Sequence, residues 1–377
     1  MKSKRSVGID FMRIFACLSV IVIHVNTLPV QNQESGIFDF SRVFIQCFFC
    51  DAVAYFWLIT GFFFFRRYDY VKKLKSMVKK QMLPLVAFLV ASFYFSRFII
   101  DGVPLLDSVS HTGEEYKNFL RPLIEWNAPV TEGYQPLWFM FVYILMVIVS
   151  PVMAAFVKRM DEDTRLEKLY MILSIAFLIL NDYTGNRFAD FSFHSFNGVF
   201  AASFAMIWGH LIGKYLDKLY NWKSTALAVV LVLISNSVRA VLQLHAFEHG
   251  MGTHLLYWYT SFGLLTSICL LLICNALWKG VSADSKIGKV VIWLSGYTFP
   301  IYIIHFFMIG LLMRRFQFYI KLDNFIFGAE KTGVFYDIQY IVIAALVLFT
   351  VSFMVVGVIR FVKWGIGSIV KNLVVNS

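Results

Sequence analysis

Apolar blocks of roughly twenty residues, each enough for a helix to cross a hydrocarbon core of about 30 Å, recur along the whole chain between short basic stretches. Nothing else in the sequence constrains the fold as tightly. With 59% hydrophobic and 15% charged residues, against about 45–50% and about 25% in soluble domains, too little polar material remains to clothe a water-soluble globule. The blocks are continuous rather than alternating in ten-residue segments, which argues for helices over a transmembrane barrel. The expected fold is an all-α polytopic membrane helix bundle, one integral domain over residues 1–377.

Ten spans are expected, near residues 11–30, 43–65, 82–100, 137–157, 169–181, 198–213, 224–241, 255–277, 290–312 and 338–362, the fifth being the shortest. The first follows Lys2, Lys4 and Arg5, but its apolar run is too long for a signal peptide and no small-residue cleavage site follows, so it is expected to stay in the mature protein. One side of this arrangement collects 23 Lys and Arg, the other ten, Arg42, Arg97 and Arg239 among them. The positive-inside rule then puts both termini in the cytoplasm. The net charge of +11 follows this topology instead of marking one basic face, so no nucleic-acid partner is expected.

The longest polar stretch, 101–136, is external in this arrangement and is either a cap, an acceptor-binding loop or a disordered acidic loop. Cys17, Cys47, Cys50, Cys269 and Cys274 all lie in apolar blocks and read as small core residues. The remaining histidines offer no defensible metal-ligand spacing; His245 and His249 form an i, i+4 pair, but at a span end. No metal is expected.

Ionisable residues inside spans are costly and default to function or to interhelical bonding. The first span carries the clearest set, Asp10, Arg13 and His24. Eleven helical steps separate Arg13 from His24, about 20° from three full turns, so both project from one face, with a rise of roughly 16 Å between them. Asp10 and Arg13 form an i, i+3 pair at the cytoplasmic edge. A buried imidazole in this position can act as a general base or simply bond a neighbouring helix.

These residues resemble the signature of the acyltransferase-3 family, which begins with a basic N-terminus, Asp-x-x-Arg and Arg-x10-His. Further segments match in order: A-Y-F-W-L-I-T-G-F at 54–62, a basic loop ending in Pro84, P-L-W-F at 136–139 with Pro151 closing the same span, and Y-T-F-P-I-Y-I-I-H at 297–305. The resemblance implies a membrane O-acyltransferase of the bacterial-type plasma membrane. Its donor would be an acyl-CoA, most often acetyl-CoA and sometimes succinyl-CoA. Its acceptor would be a hydroxyl or amine on an envelope glycan or lipid-linked saccharide, with His24 as the catalytic residue and Arg13 its partner. Two positions depart from the family: Gln81 stands where relatives often place Arg, and Arg66 and Arg67 are adjacent where some relatives have Arg-x-Arg. The chain also ends soon after its tenth span, without the extracytoplasmic domain of some relatives.

The donor's phosphates would dock on the basic internal loop, at Arg66, Arg67, Lys73, Lys79 and Lys80, although the same charges also satisfy the positive-inside rule and attract anionic lipid. Asp51 can orient His24, bind the acceptor, face an aqueous vestibule or pair with an arginine. Tyr302 and His305, one turn apart, and Trp138 are further candidates for the substrate cavity. The reading from a different class is a transporter or flippase that uses Asp10, Arg13, Asp51 and His24 as a path, though the weak two-fold repeats of transporters are not evident.

Overall fold

A computed structural model describes residues 6–31, 40–66, 68–125, 135–184, 198–219, 221–249, 260–328 and 334–375. All regular structure among them is helical, as lipid demands, because a helix satisfies its backbone within one segment. Nine of these helices are long and apolar enough to cross a membrane. Another, α9 (Thr164–Tyr183), matches the expected fifth span, but Arg165, Glu167, Lys168 and Asp182 leave it without an eighteen-residue stretch of two charges or fewer, which each of the nine has. Its exposed Ile172 and Ile179 nevertheless give it the apolar outer face of a lipid-contacting helix.

At the centre stands α1 (Val7–Gln31). Ile9, Met12, Ala16 and Val20 form one buried stripe, and Cys17, Ile21 and Val25 another. The first joins a core with α3 (Ala52–Phe64), α8 (Trp138–Glu162), α10 (Val199–Leu219) and α12 (Thr260–Leu277); the second joins α14 (Thr298–Gly310), α15 (Phe318–Phe327) and α16 (Val334–Val375). A helix apolar on all sides is an interior helix. The candidate residues of α1 therefore sit on the axis of the bundle.

The tightest crossing is α3 on α10, made by two glycines. A Cβ on Gly61 would lie 1.9 Å from the Met206 carbonyl oxygen, and one on Gly209 2.0 Å from that of Leu58. Small residues let backbones approach this closely in membrane bundles, and the crossing fixes the 54–62 segment beside the centre.

Two expectations need correction. Pro151 does not close its span, because α8 runs through it to Glu162. A proline lacks the N–H that would bond the carbonyl four residues back. The Ser150 hydroxyl donates to that Val147 carbonyl at 2.7 Å, so the helix continues. The basic stretch before Pro84 is likewise helical, comprising α4 (Tyr70–Met77), a π-helical turn (Val78–Met82) and α5 (Leu83–Ser96). Asp69 caps it, accepting from the Lys72 amide at 3.0 Å, and Pro84, the second residue of α5, directly follows the π-helical turn within the continuous span Tyr70–Asp101.

Within the 101–136 stretch, α6 (Leu105–Val109) and α7 (Gly113–Ile124) are folded. A reciprocal Thr112–Glu115 cap starts α7, and those hydrogen bonds hold the Glu115 carboxyl below its usual value. The His111 ring stacks on Phe93 at 4.0 Å, and Ser108 donates to the Tyr94 carbonyl of α5 and accepts from the Phe98 amide just beyond it, so this part packs as a cap on the end of α5. Residues 126–134 lie outside the described residues.

Candidate active site

Near one end of α1, the Asp10 carboxylate accepts from Arg13 at 2.9 Å and from the Ser295 hydroxyl of α13 (Lys286–Ser295) at 2.9 Å. This anchors Arg13 at the edge of a cavity of ≈ 330 Å³ between α1, α3, α4, α8 and α14. Lys73 and Gln81 line the same cavity, with Phe56 and Thr60 of α3, Tyr143 of α8, and Tyr302 of α14. The Lys73 ammonium lies over the Phe64 ring, 4.2 Å from its centre, and makes no ion pair among the described residues. Gln81 occupies the π-helical turn, and its Oε1 is buried without a hydrogen-bond partner among the described residues. A π-turn often marks a functional position.

Behind Tyr302 two imidazoles meet. The His24 and His305 rings are 5.3 Å apart, and His305 is 5.6 Å from the Tyr302 ring. The Tyr302 hydroxyl donates to the Pro136 carbonyl, tying α14 to the start of the P-L-W-F segment. His24 also meets Phe306 at 5.2 Å. Neither imidazole lines the cavity itself; Tyr302 stands between.

Other candidates lie elsewhere. Asp51, at the break between α2 (Phe40–Phe49) and α3, binds Arg239 of α11 (Trp222–Glu248) with N–O distances of 2.7 and 3.2 Å, with both residues at most 1% exposed. Of the roles open to Asp51, the structure displays the pairing with an arginine. Arg239 is therefore not the external charge that the distribution of basic residues leads one to expect; it is a buried countercharge within a span. Arg42 similarly pairs with Asp337 of α16 at 2.5 Å. Arg66 donates to the Gly213 carbonyl at 3.0 Å and lies over Phe62; burial, with Asp217 opposing, lowers its pKa. Lys79 and Lys80 are exposed and do not line the cavity, and Arg67 lies outside the described residues. Trp138 is partly buried, its ring 6.5 Å from that of Phe139. Among the described residues no three His, Cys, Asp or Glu form a metal-ligand group. Spacing alone could not disclose Tyr143 and Thr60, which are ordinary apolar-span residues in sequence.

Each of the five sequence segments quoted above thus contributes a wall to one chamber, and a family model described as an acyltransferase domain matches residues 6–362. The chain belongs to the acyltransferase-3 family. It is a multi-pass membrane member of it. The succinoglycan biosynthesis protein ExoH of Rhizobium meliloti (strain 1021) is 27% identical over 188 residues, 46% of this chain and 50% of that protein. The chain thus spans about half the length of this relative. No solved structure matches.

Proposed function

We propose that this acyltransferase moves an acyl group, acetyl in the simplest case, from cytosolic acyl-CoA to a hydroxyl of an envelope glycan or lipid-linked sugar, with His24 as general base. The convergence of Arg13, Lys73, Gln81 and Tyr302 on one cavity is the observation that carries this reading. Its volume lies near the lower end of small-molecule sites, about 300–1,000 Å³, which suits the narrow acyl-pantetheine arm. Lys73, without a carboxylate partner among the described residues, supplies charge for a phosphate at the entrance, with Arg66, Arg67, Lys79 and Lys80 as a surrounding basic field. The orphaned Gln81 Oε1 accepts from a pantetheine amide.

On this reading both termini are cytoplasmic, the membrane is the plasma membrane, and donor and acceptor enter from opposite faces. The acceptor oxygen attacks the thioester carbonyl carbon while His24 takes its proton. The C–O bond forms, the C–S bond breaks, and the departing thiolate receives the proton from His24. The name of the Rhizobium relative supports a glycan acceptor. Trp138 and Tyr302 line the acceptor's approach, whereas Asp51 supports the site from its ion pair.

Incubating the full chain in nanodiscs with acetyl-CoA, an envelope glycan fraction and a thiol reporter tests the reading. Acceptor-dependent thiol release is expected, reduced about 10²–10⁴-fold in His24→Ala. Full activity in that variant would overturn the role of His24, and a labelled acyl-enzyme trapped with donor alone would replace direct transfer by a two-step route.

A further inference from the structure

His305 enters the reading above only as a neighbour of the cavity, yet its bonding is unusual for a buried imidazole. Its Nδ1 lies 2.6 Å from the Tyr302 carbonyl oxygen. A carbonyl only accepts, so Nδ1 carries the hydrogen and, in the neutral ring, Nε2 keeps a bare lone pair. That Nε2 is buried and has no hydrogen-bond partner among the described residues, while the residue as a whole is 1% exposed. A buried polar atom normally finds a partner, and an orphan calls for an explanation.

The surroundings narrow what that partner is. Among the described residues, three rings stand near His305: Tyr302, Phe306 and His24. The Tyr302 hydroxyl is committed to the Pro136 carbonyl, and Phe306 has nothing to donate. The nearby Cys17 thiol points to the Thr298 carbonyl at 3.6 Å. His24 remains. Imidazole nitrogens lie about 1.1 Å from the ring centre, so the centroid separation brings facing nitrogens to about 3 Å, an ordinary hydrogen-bond length.

We propose that His305 is a positioning residue for His24: its Nε2 accepts the N–H of His24, presents the opposite His24 nitrogen as a lone pair to the acceptor hydroxyl, and shares the positive charge once that proton is taken up. The Tyr302 carbonyl, bonded to Nδ1–H, backs the pair on its far side. The role parallels a carboxylate behind a catalytic imidazole, but with a neutral group, which lipid accommodates at lower cost. This inference rests on the acyltransferase reading for its consequence, not for its geometry.

Two measurements on the full chain in nanodiscs test it. In nitrogen-15 spectra of histidine-labelled protein, with signals assigned by single substitutions, His305 is expected as the Nδ1–H tautomer with unprotonated Nε2, and the His24 resonances are expected to move in His305→Ala. A protonated Nε2, or His24 signals indifferent to His305→Ala, overturns the proposal. In the thiol-release assay with acetyl-CoA and the envelope glycan fraction, His305→Ala is expected to lower kcat about 100-fold with the acetyl-CoA KM within about two-fold. His305→Gln, whose amide oxygen also accepts, is expected to regain about ten-fold of that loss. Equal damage by both substitutions, or none by either, contradicts it. The spectra need no turnover, so a wild-type protein that releases no thiol would defeat the acyltransferase reading and still leave the imidazole pair to be judged by its resonances.

Discussion

Asp51 and Arg239, 188 residues apart in the chain, close a two-pronged ion pair inside the bundle, with N–O distances of 2.7 and 3.2 Å. Arg239 also donates to the Cys47 carbonyl, 3.2 Å away, and lies 3.0 Å from the Cys50 sulfur. The break between α2 and α3 is therefore held against α11 by charge where the helix ladder is interrupted.

Removing one partner strands the other without a countercharge in a low-dielectric interior. Asp51→Ala is expected to cost about 3–5 kcal/mol, whereas the apolar pair Asp51→Leu with Arg239→Met is expected to be nearly neutral. Thermal unfolding of the purified variants measures both. A folded double variant with normal turnover would confine Asp51 to a structural role; a folded but inactive one would return it to the acceptor site.

At the α3–α10 crossing there is no room for a side chain. Gly61→Val forces the helices apart and is expected to destabilise by about 1–3 kcal/mol or more, seen as a lower unfolding temperature with acetyl-CoA binding weakened in parallel. Unchanged stability would mean that the helices do not meet at the glycine.

Donor contacts should separate from catalysis. Lys73→Ala removes a charge-assisted contact of about 1.5–3 kcal/mol, so the acetyl-CoA KM is expected to rise by about 10–100-fold. Gln81→Leu removes a neutral hydrogen bond, and a rise of about ten-fold or less is expected. Steady-state kinetics with acetyl-CoA as the varied substrate measures both, and an effect on kcat alone would place these residues elsewhere in the cycle.

Orientation is open to labelling, because all five cysteines are buried. A thiol reagent that cannot cross the membrane is expected to label Glu114→Cys on α7 in intact cells and Lys75→Cys on α4 only after permeabilisation. Both native side chains are exposed. The reverse pattern would invert the topology.

Much of this arrangement was legible from the sequence. Twenty-residue apolar blocks disclose the all-α membrane class because lipid leaves the backbone few choices, but they give ten spans where nine of the described helices are long and apolar enough, since the charges of α9 escape a reading by apolar length alone. Periodicity within one helix says nothing about its neighbours, so the partners of Asp51 and Arg42 and the closeness of His24 to His305 emerge only from packing. Pro151 misled because proline ends helices in isolation, whereas here Ser150 satisfies the freed carbonyl. The basic run before Pro84 reads as a loop by charge, yet Asp69 caps it into a helix, which carries Lys73 and Gln81 onto the cavity and leaves Lys79 and Lys80 outside its lining.

The most direct test of the central claim is an electron cryomicroscopy map of the full chain in nanodiscs with acetyl-CoA. Phosphate density is expected near Lys73 and Arg13, with an arm running past Gln81 toward Tyr302 and the thioester directed at His24. Nucleotide density elsewhere, with the chamber between α1, α3, α8 and α14 empty, would contradict it.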